Sequence, residues 1–276
     1  MVKLGKMIGS GHWANVYEYN NDHVIKLFHK HVDQSIAQYE FEVSNKIYKL
    51  GISTPAAYDL VQLDIQKGIV FQKVNGSTLV EEVAHSPFKL MLYVKQSAQL
   101  FAHVHKLKAT GLMSFKFQLS ERISLANQLD QIEQDSIKYY LSTLEDDCDL
   151  CHGDFHFGNI MIEDDSLKII DWGGVSCGPK IADLTLAIIQ FQVASMTNKI
   201  PTYLKIIISM FRPFIIHKFI DAYCQSNPNL NIDEVKESIQ RWRLPIAAAR
   251  LISCNAEESK TLLNIIRKEM QRHQLF

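Results

Sequence analysis

Cys151-His152-Gly153-Asp154-Phe155-His156-Phe157-Gly158-Asn159-Ile160, followed after a short gap by Ile169-Ile170-Asp171-Trp172-Gly173, is the stretch on which the reading of this chain turns. An Asp stands two residues after a His, an Asn five residues after that Asp, and a second Asp beyond a predicted β-hairpin with Asp164-Asp165-Ser166 as its turn. Asp154 supplies a carboxylate able to accept a hydrogen bond from a hydroxyl, align it, and take its proton late in a reaction. Asn159 and Asp171 supply two hard oxygen ligands of the kind Mg²⁺ takes. The set matches what is needed to hold a nucleoside triphosphate and its Mg²⁺ for phosphoryl transfer. Reading Asp154 as a mere turn residue leaves the spacing of Asn159 and Asp171 to coincidence. A metallohydrolase reading of His152, Asp154 and His156 lacks the further His/Asp cluster that such sites carry. His152 is read as a hydrogen-bonding brace for the loop.

Working outward toward the N-terminus, Val2 to Ile8, Val16 to Tyr19 and Val24 to Phe28 read as β runs, the last two joined by the turn Asn20-Asn21-Asp22. Gly9, Ser10 and Gly11 lie between β runs, where glycines let backbone N–H groups approach phosphate oxygens. Ala14 occupies the third glycine position of a G-x-G-x-x-G loop, and the strand that follows excludes a strand–loop–helix dinucleotide motif. Lys26 shares a strand face with Val24 and Phe28, and an inward Lys requires an anionic partner. Gln34 to Leu50 has helical period, stopped at Gly51, with Ile36, Tyr39, Val43, Ile47 and Leu50 on one face. Glu40 lies at the edge of that apolar stripe and Glu42 well outside it, so Glu40 is the preferred partner for Lys26. Ala57 to Leu63 and Gly68 to Lys73 complete the β-rich part.

From Gly76 onward the chain turns helical. Thr78-x-x-Glu81 resembles a capping box, and Ser86-Pro87 reads as an N-cap with Pro at N1 opening a helix to about Leu107. Ser120 to Leu129 and Gln131 to Leu144 are further expected helices. Short β runs at Leu150, Asn159 to Glu163 and Leu167 to Ile170 interrupt them. Helices resume at Ile181, with breaks expected near Pro201, Pro213 and Asn227-Pro228-Asn229. Asp183 precedes an apolar helix and is read as its cap or as a brace for the Asp154 loop. Trp172 and Trp242 are read as core rather than as a cation cage.

Composition bounds the rest. With 276 residues, 47% of them hydrophobic, the chain can build a large core in one domain or two lobes. A net charge of -1 and the absence of a basic run argue against a nucleic-acid partner. Ile200 to Ile220 contains Lys205, Arg212, Pro213 and Lys218, so it reads as a buried helix and no membrane partner is expected. Five cysteines without a signal-peptide pattern predict reduced thiols and a cytoplasmic location. Cys148-x-x-Cys151 has no matching second pair and is read as a chance spacing.

Taken in order along nearly the whole chain, the Gly9–Gly11 loop, Lys26, the helix glutamate, a hinge near Phe71 to Val74, His152-Gly153-Asp154-x-His156-x-Gly158-Asn159 and Ile170-Asp171-Trp172 resemble the aminoglycoside phosphotransferase and choline kinase-like family. The resemblance implies an α+β, bilobal, protein-kinase-like fold. Residues 1–75 would form a small antiparallel N-lobe with one helix, and residues 76–276 a larger, mostly helical C-lobe. It also implies ATP or GTP with Mg²⁺ bound between the lobes, base contacts from the backbone around Gln72 to Val74, and transfer of the γ-phosphate to a small-molecule hydroxyl.

Two departures stand out. Phe157 replaces the proline most members carry before Gly158, and too few residues separate Gly173 from Asp183 for a phosphorylatable activation segment. A protein kinase of unusual build and a nucleotide-binding pseudokinase are the alternatives. Retention of Lys26, Asp154, Asn159 and Asp171 together speaks against decay to the latter. From Lys199 onward twelve Lys and Arg face seven Asp and Glu. A site for an aminoglycoside, a polycation, would be lined with carboxylates, so a neutral, anionic or sugar-like hydroxyl compound is the expected acceptor.

Overall fold

Alternating side chains and short polar turns fold the N-terminal part into an antiparallel sheet. The computed structural model describes residues 4–195 and 200–275. Val2, Lys3 and Lys199, which begin two of the segments read above, lie outside them. Strands β1 (Met7–Ser10), β2 (Ala14–Glu18), β3 (His23–Phe28), β4 (Ala57–Leu63) and β5 (Gln66–Gln72) are ordered β1-β2-β3-β5-β4. Helix α1 (Gln34–Lys49) is capped by Asp33, whose side chain accepts from Ser35 N at 2.7 Å. Its buried Ala37 packs with Phe28 and Ile69 of the sheet, and Val43 and Ile47 are buried farther along the helix. A small second sheet joins β6 (Ser77–Thr78) to β8 (Ile160–Glu163), which pairs with β9 (Ser166–Ile169). The β8–β9 turn puts Asp164 and Asp165 at positive φ, a conformation that a short polar side chain tolerates.

These strands and α1 belong to one unit, Met1–Thr78 with Asn159–Gly173. The second unit is Leu79–Gly158 with Gly174–Phe276. A single boundary near Gly76 did not include this return of the chain. Pairing of β6 with β8 and β9 draws Asn159–Gly173 into the first unit.

The second unit contains α2 (Leu79–His85), α3 (Leu90–Val104), α4 (Phe115–Ser124), α5 (Gln131–Thr143), β7 (Asp149–Cys151), β10 (Ser176–Gly178), α6 (Lys180–Val193), α7 (Thr202–Gln225), α8 (Ile232–Arg250) and α9 (Ala256–Arg272). Its core packs Leu119, Ile137 and Leu186 with Trp242, Ile246 and Ile266, so α8 runs through apolar surroundings. No helix among the described residues is long and apolar enough to cross a membrane.

Four expectations need correction. Ser86 makes no capping bond; Pro87–Lys89 is a single 3₁₀ turn, and the α-helix starts only at Leu90. Helix α4 begins five residues earlier than expected because Ser114 caps it, accepting from Phe117 N. No break occurs at Pro213, which sits inside α7. Burial of Ile215, Phe219 and Tyr223 on the following turns offsets the one backbone bond proline removes. Helix α8 similarly continues through Pro245, and the carbonyl of Arg241 that proline leaves free accepts the Tyr140 hydroxyl at 3.1 Å. Lastly, the cysteines are not all reduced: Cys148 is bonded to Cys177. Antiparallel pairing of β7 with β10 sets Leu150 opposite Cys177 and brings the two cysteine Cα atoms to 4.7 Å. Strand β10 carried too short an apolar signal to be foreseen.

Candidate active site

In the first unit, Lys26 projects from β3 and its Nζ lies 2.6 Å from Glu40 Oε1 and 2.8 Å from Asp171 Oδ1. Glu40 is buried on α1, whereas Glu42 is exposed and accepts from Gln38. The helical angle explains the choice between them. Burial alone would lower the Lys26 pKa, but the charges of Glu40 and Asp171 outweigh it and hold the ammonium above the ordinary lysine range. Burial raises the Glu40 carboxyl, with Lys26 opposing. Asp171 follows β9 with φ 65°, a strained setting for a non-glycine residue. Its carboxylate is 44% exposed, and its neighbour Ile170 donates its N–H to Asn159 O at 2.9 Å. The backbone thus brings together the ends of β8 and β9 that carry Asn159 and Asp171. An amide and a carboxylate form a hard oxygen donor set, with no sulfur or imidazole, that fits Mg²⁺ sharing its shell with water and phosphate. Trp172 is buried and its indole N–H donates to Thr54 Oγ1 at 3.0 Å, so it is core.

Gly9 and Ser10 end β1 opposite Val16 and Asn15, and Gly11 opens the β1–β2 connection; Gly11 N donates to Ala14 O and the Ser10 hydroxyl to Asn15. At the expected hinge, Gln72 N donates to Ala56 O and Lys73 N to Asp22 O. Both amides are therefore engaged within the first unit, and Val74 follows them.

The second unit holds Asp154. Its loop is anchored from below by Asp183, in the first turn of α6, which is fully buried and accepts His152 N at 2.6 Å and Gly153 N at 3.0 Å. Asp183 also meets His105 Nε2 at 3.2 Å, and His105 Nδ1 lies 2.7 Å from the Tyr223 hydroxyl. Pro179 holds the N-cap position of α6, so Asp183 acts on the loop rather than as the cap. Gly153 takes φ +79°, and a Cβ there would stand 2.2 Å from Gly174 O. Only glycine fits. His152 Nδ1 accepts Asp154 N at 3.2 Å, which makes it a brace. His156 Nδ1 accepts Gly158 N at 3.0 Å, leaving the proton on Nε2, 3.5 Å from Asp154 Oδ2. Phe155 stacks on Phe101 with centroids 3.9 Å apart, and Phe157, in the place of a proline, meets Phe191 edge-on.

The sequence from residue 6 to residue 205 matches the model of the phosphotransferase enzyme family. The chain belongs to that family. It is a phosphotransferase enzyme. No curated protein matches it by sequence. Among solved structures, a thermostable mutant of aminoglycoside phosphotransferase APH(4)-Ia is similar, with a TM-score of 0.65 and 12% identity over 98% of this chain and 94% of that one. Ethanolamine kinase from Plasmodium vivax gives 0.64 and 13% over 96% and 83%. Amicoumacin kinase in complex with AMP-PNP, Ca²⁺ and Ami gives 0.61 and 15% over 98% and 91%. At these identities the likeness establishes the α+β kinase-like fold, with an antiparallel sheet in the N-terminal part and helices in the C-terminal part.

In this phosphotransferase three residues that act on Asp154 were not foreseen. Gln190 on α6 donates its Nε2 to Asp154 Oδ1. Arg250, at the end of α8, has Nη1 4.0 Å from the same oxygen. Arg122, on α4, acts on Asp154 electrostatically. Burial raises the Asp154 carboxyl, but the His156 hydrogen bond and the charge of Arg250 prevail and hold it well below the usual carboxylate range. Gln190 and Arg250 are polar residues inside otherwise apolar helical runs, and that was the sequence signal available for them.

Proposed function

We propose that this phosphotransferase moves the γ-phosphate of Mg²⁺-bound ATP, or GTP, to the hydroxyl of a small molecule that is not a polycation. The observation that carries the reading is the double pairing of Lys26 with Glu40 and Asp171, which joins a strand, a helix and the Asp171 turn around one ammonium. In this reading the first unit serves the nucleotide. The segment Gly9, Ser10 and Gly11 lies over the phosphates, Lys26 turns from Asp171 toward them, and Gln72 to Val74 lie against the base. Asn159 and Asp171 would hold Mg²⁺. When bound, the ion supplies charge neutralisation at the phosphate oxygens. The AMP-PNP of the amicoumacin kinase complex is consistent with a nucleotide donor.

Asp154, in the second unit, orients the acceptor hydroxyl. The acceptor oxygen bonds to the γ-phosphorus as the bond to the β,γ-bridging oxygen breaks, and that electron pair leaves with the nucleoside diphosphate. The hydroxyl proton passes to Asp154. Because His156 and Arg250 depress its pKa, Asp154 is a weak base and takes the proton late, so its main contribution is alignment. Asp183 and His152 keep the loop in place. A cytoplasmic site of action accompanies this reading, since that is where nucleoside triphosphates are plentiful.

Replacement of Asp154 by Asn tests it. Transfer should fall by about 10²–10⁴-fold, while the thermal shift caused by Mg²⁺-ATP persists. Full transfer activity in that variant would refute the assignment.

A further inference from the structure

One arginine stands beside the Asp154 carboxylate in the second unit, and a second, Arg122, acts on it through its charge. Arg250 is only 16% exposed, and its Nη1 lies 4.0 Å from Asp154 Oδ1. Its Nε is buried and has no hydrogen-bond partner among the described residues. Arg122 donates from Nη2 to the Ser253 hydroxyl at 3.3 Å, a neutral acceptor. Asp154 Oδ1 already accepts from Gln190, whose Oε1 is buried without a donor. Arg250 therefore meets its nearest carboxylate oxygen only at 4.0 Å, and that oxygen already serves Gln190.

Burial, and after it the charge of Arg250, depress the Arg122 guanidinium, with Asp154 opposing. An uncompensated buried cation is costly to keep. Arg243, seven residues or about 10 Å before Arg250 on one helical face, pairs with Glu269 Oε1 at 3.4 Å and lines a cavity of about 380 Å³ between α6, α7 and α8. Arg212 and Lys236 line it too, no carboxylate does, and its walls include Ile188, Ile216 and Ile239.

We propose that the phosphate acceptor carries an acid group, a carboxylate or a phosphate ester, close to the hydroxyl that Asp154 orients, and that Arg122 and Arg250 hold this group. The planar guanidinium fork matches both kinds of oxyanion, and the free Arg250 Nε–H is a donor awaiting one. Such a group would give Arg250 the close anionic partner that Asp154, at 4.0 Å, does not. Arg122 and Arg250 are then specificity-determining residues. The inference rests on the phosphotransferase reading above and adds the chemistry of the acceptor to it.

The test compares matched alcohols in the presence of Mg²⁺-ATP: glycerol, glycerate and glycerol phosphate, then a neutral sugar, its sugar acid and its sugar phosphate, with an amino alcohol and an aminoglycoside as cationic controls. The kcat/KM of one anionic class should exceed that of its neutral counterpart by tenfold or more, and which class does so separates carboxylate from phosphate. R122Q and R250Q should bring anionic and neutral members within about threefold of each other, mainly through KM, and R250K should restore part of the preference.

A second readout needs no turnover. With the nucleotide site saturated by Mg²⁺-ADP, the same anions should raise the melting temperature of the wild type and not of R122Q/R250Q. Equal kcat/KM within pairs, a preference for the cationic controls, a loss in R250Q that is the same for anionic and neutral members, or the absence of any anion-dependent shift overturns the proposal. Failure of the underlying reading shows separately, as no Mg²⁺-ATP thermal shift and no Asp171-dependent ATP hydrolysis.

Discussion

Lys26 Nζ donates to Asp171 Oδ1 at 2.8 Å, joining residues 145 positions apart in the sequence. The same ammonium binds Glu40 at 2.6 Å, so one side chain orders β3, α1 and the turn after β9. Removing it leaves Glu40 buried without a counter-charge. The Lys26→Met variant should lose about 3 kcal/mol of stability, read from denaturant unfolding. In a double-mutant cycle with Glu40→Gln the losses should not add, and an additive result would mean that the two do not interact.

Asp183 is the corresponding anchor of the second unit. Its carboxylate receives two backbone N–H groups of the Asp154 loop and meets His105. Asp183→Ala leaves those donors buried and unpaired. A loss of about 3 kcal/mol or more is expected, with kcat reduced more than the KM for nucleotide. Unchanged thermal stability would show that the loop holds itself.

The Gly153 backbone is at φ +79° and lies against Gly174 O. Gly153→Ala combines left-handed strain with a steric clash against a carbonyl, so at least about 2 kcal/mol of destabilisation is expected. Transfer activity should fall with it. Gly51, at φ +78° with nothing near its Cβ, is the control: Gly51→Ala should show the strain alone and retain activity.

The depressed carboxyl of Asp154 sets a pH signature. Its charged form is favoured in the folded state, so its stabilising contribution is complete above the unfolded value of about 3.9. That contribution disappears only as pH falls through the lower folded value. The kcat/KM profile should therefore show no Asp154 limb between about pH 5 and 8. His156→Gln removes the hydrogen bond that does most to depress this carboxyl, and should move the acid limb upward.

The Cys148–Cys177 bond closes a loop between positions 29 apart. Loop-closure entropy gives it about 3 kcal/mol of stabilisation. Denatured, unreduced protein should titrate three thiols, corresponding to Cys151, Cys224 and Cys254, and reduction should expose all five and lower the melting temperature. Five titratable thiols before reduction would mean that the bond is absent.

Much of this was legible in the sequence because it is local. Helical period and the Gly51 stop marked α1, alternation marked β4 to its ends, and the angular position of Glu40 on α1 distinguished it from Glu42. The residues that converge from distant elements left weaker traces. Gln190 and Arg250 read as isolated polar residues in apolar runs, and nothing near Cys148 points to Cys177.

By itself, then, the sequence determined the order of the elements and the candidate set Lys26, Glu40, Asp154, Asn159 and Asp171, because turn chemistry and side-chain period act over a few residues. Tertiary structure decided which charges meet. It set Lys26 against Asp171, put Asp183 beneath the Asp154 loop, bonded Cys148 to Cys177, and brought Arg250 to the Asp154 carboxylate. Those outcomes depend on packing between helices and strands whose separation along the chain carries no local signal.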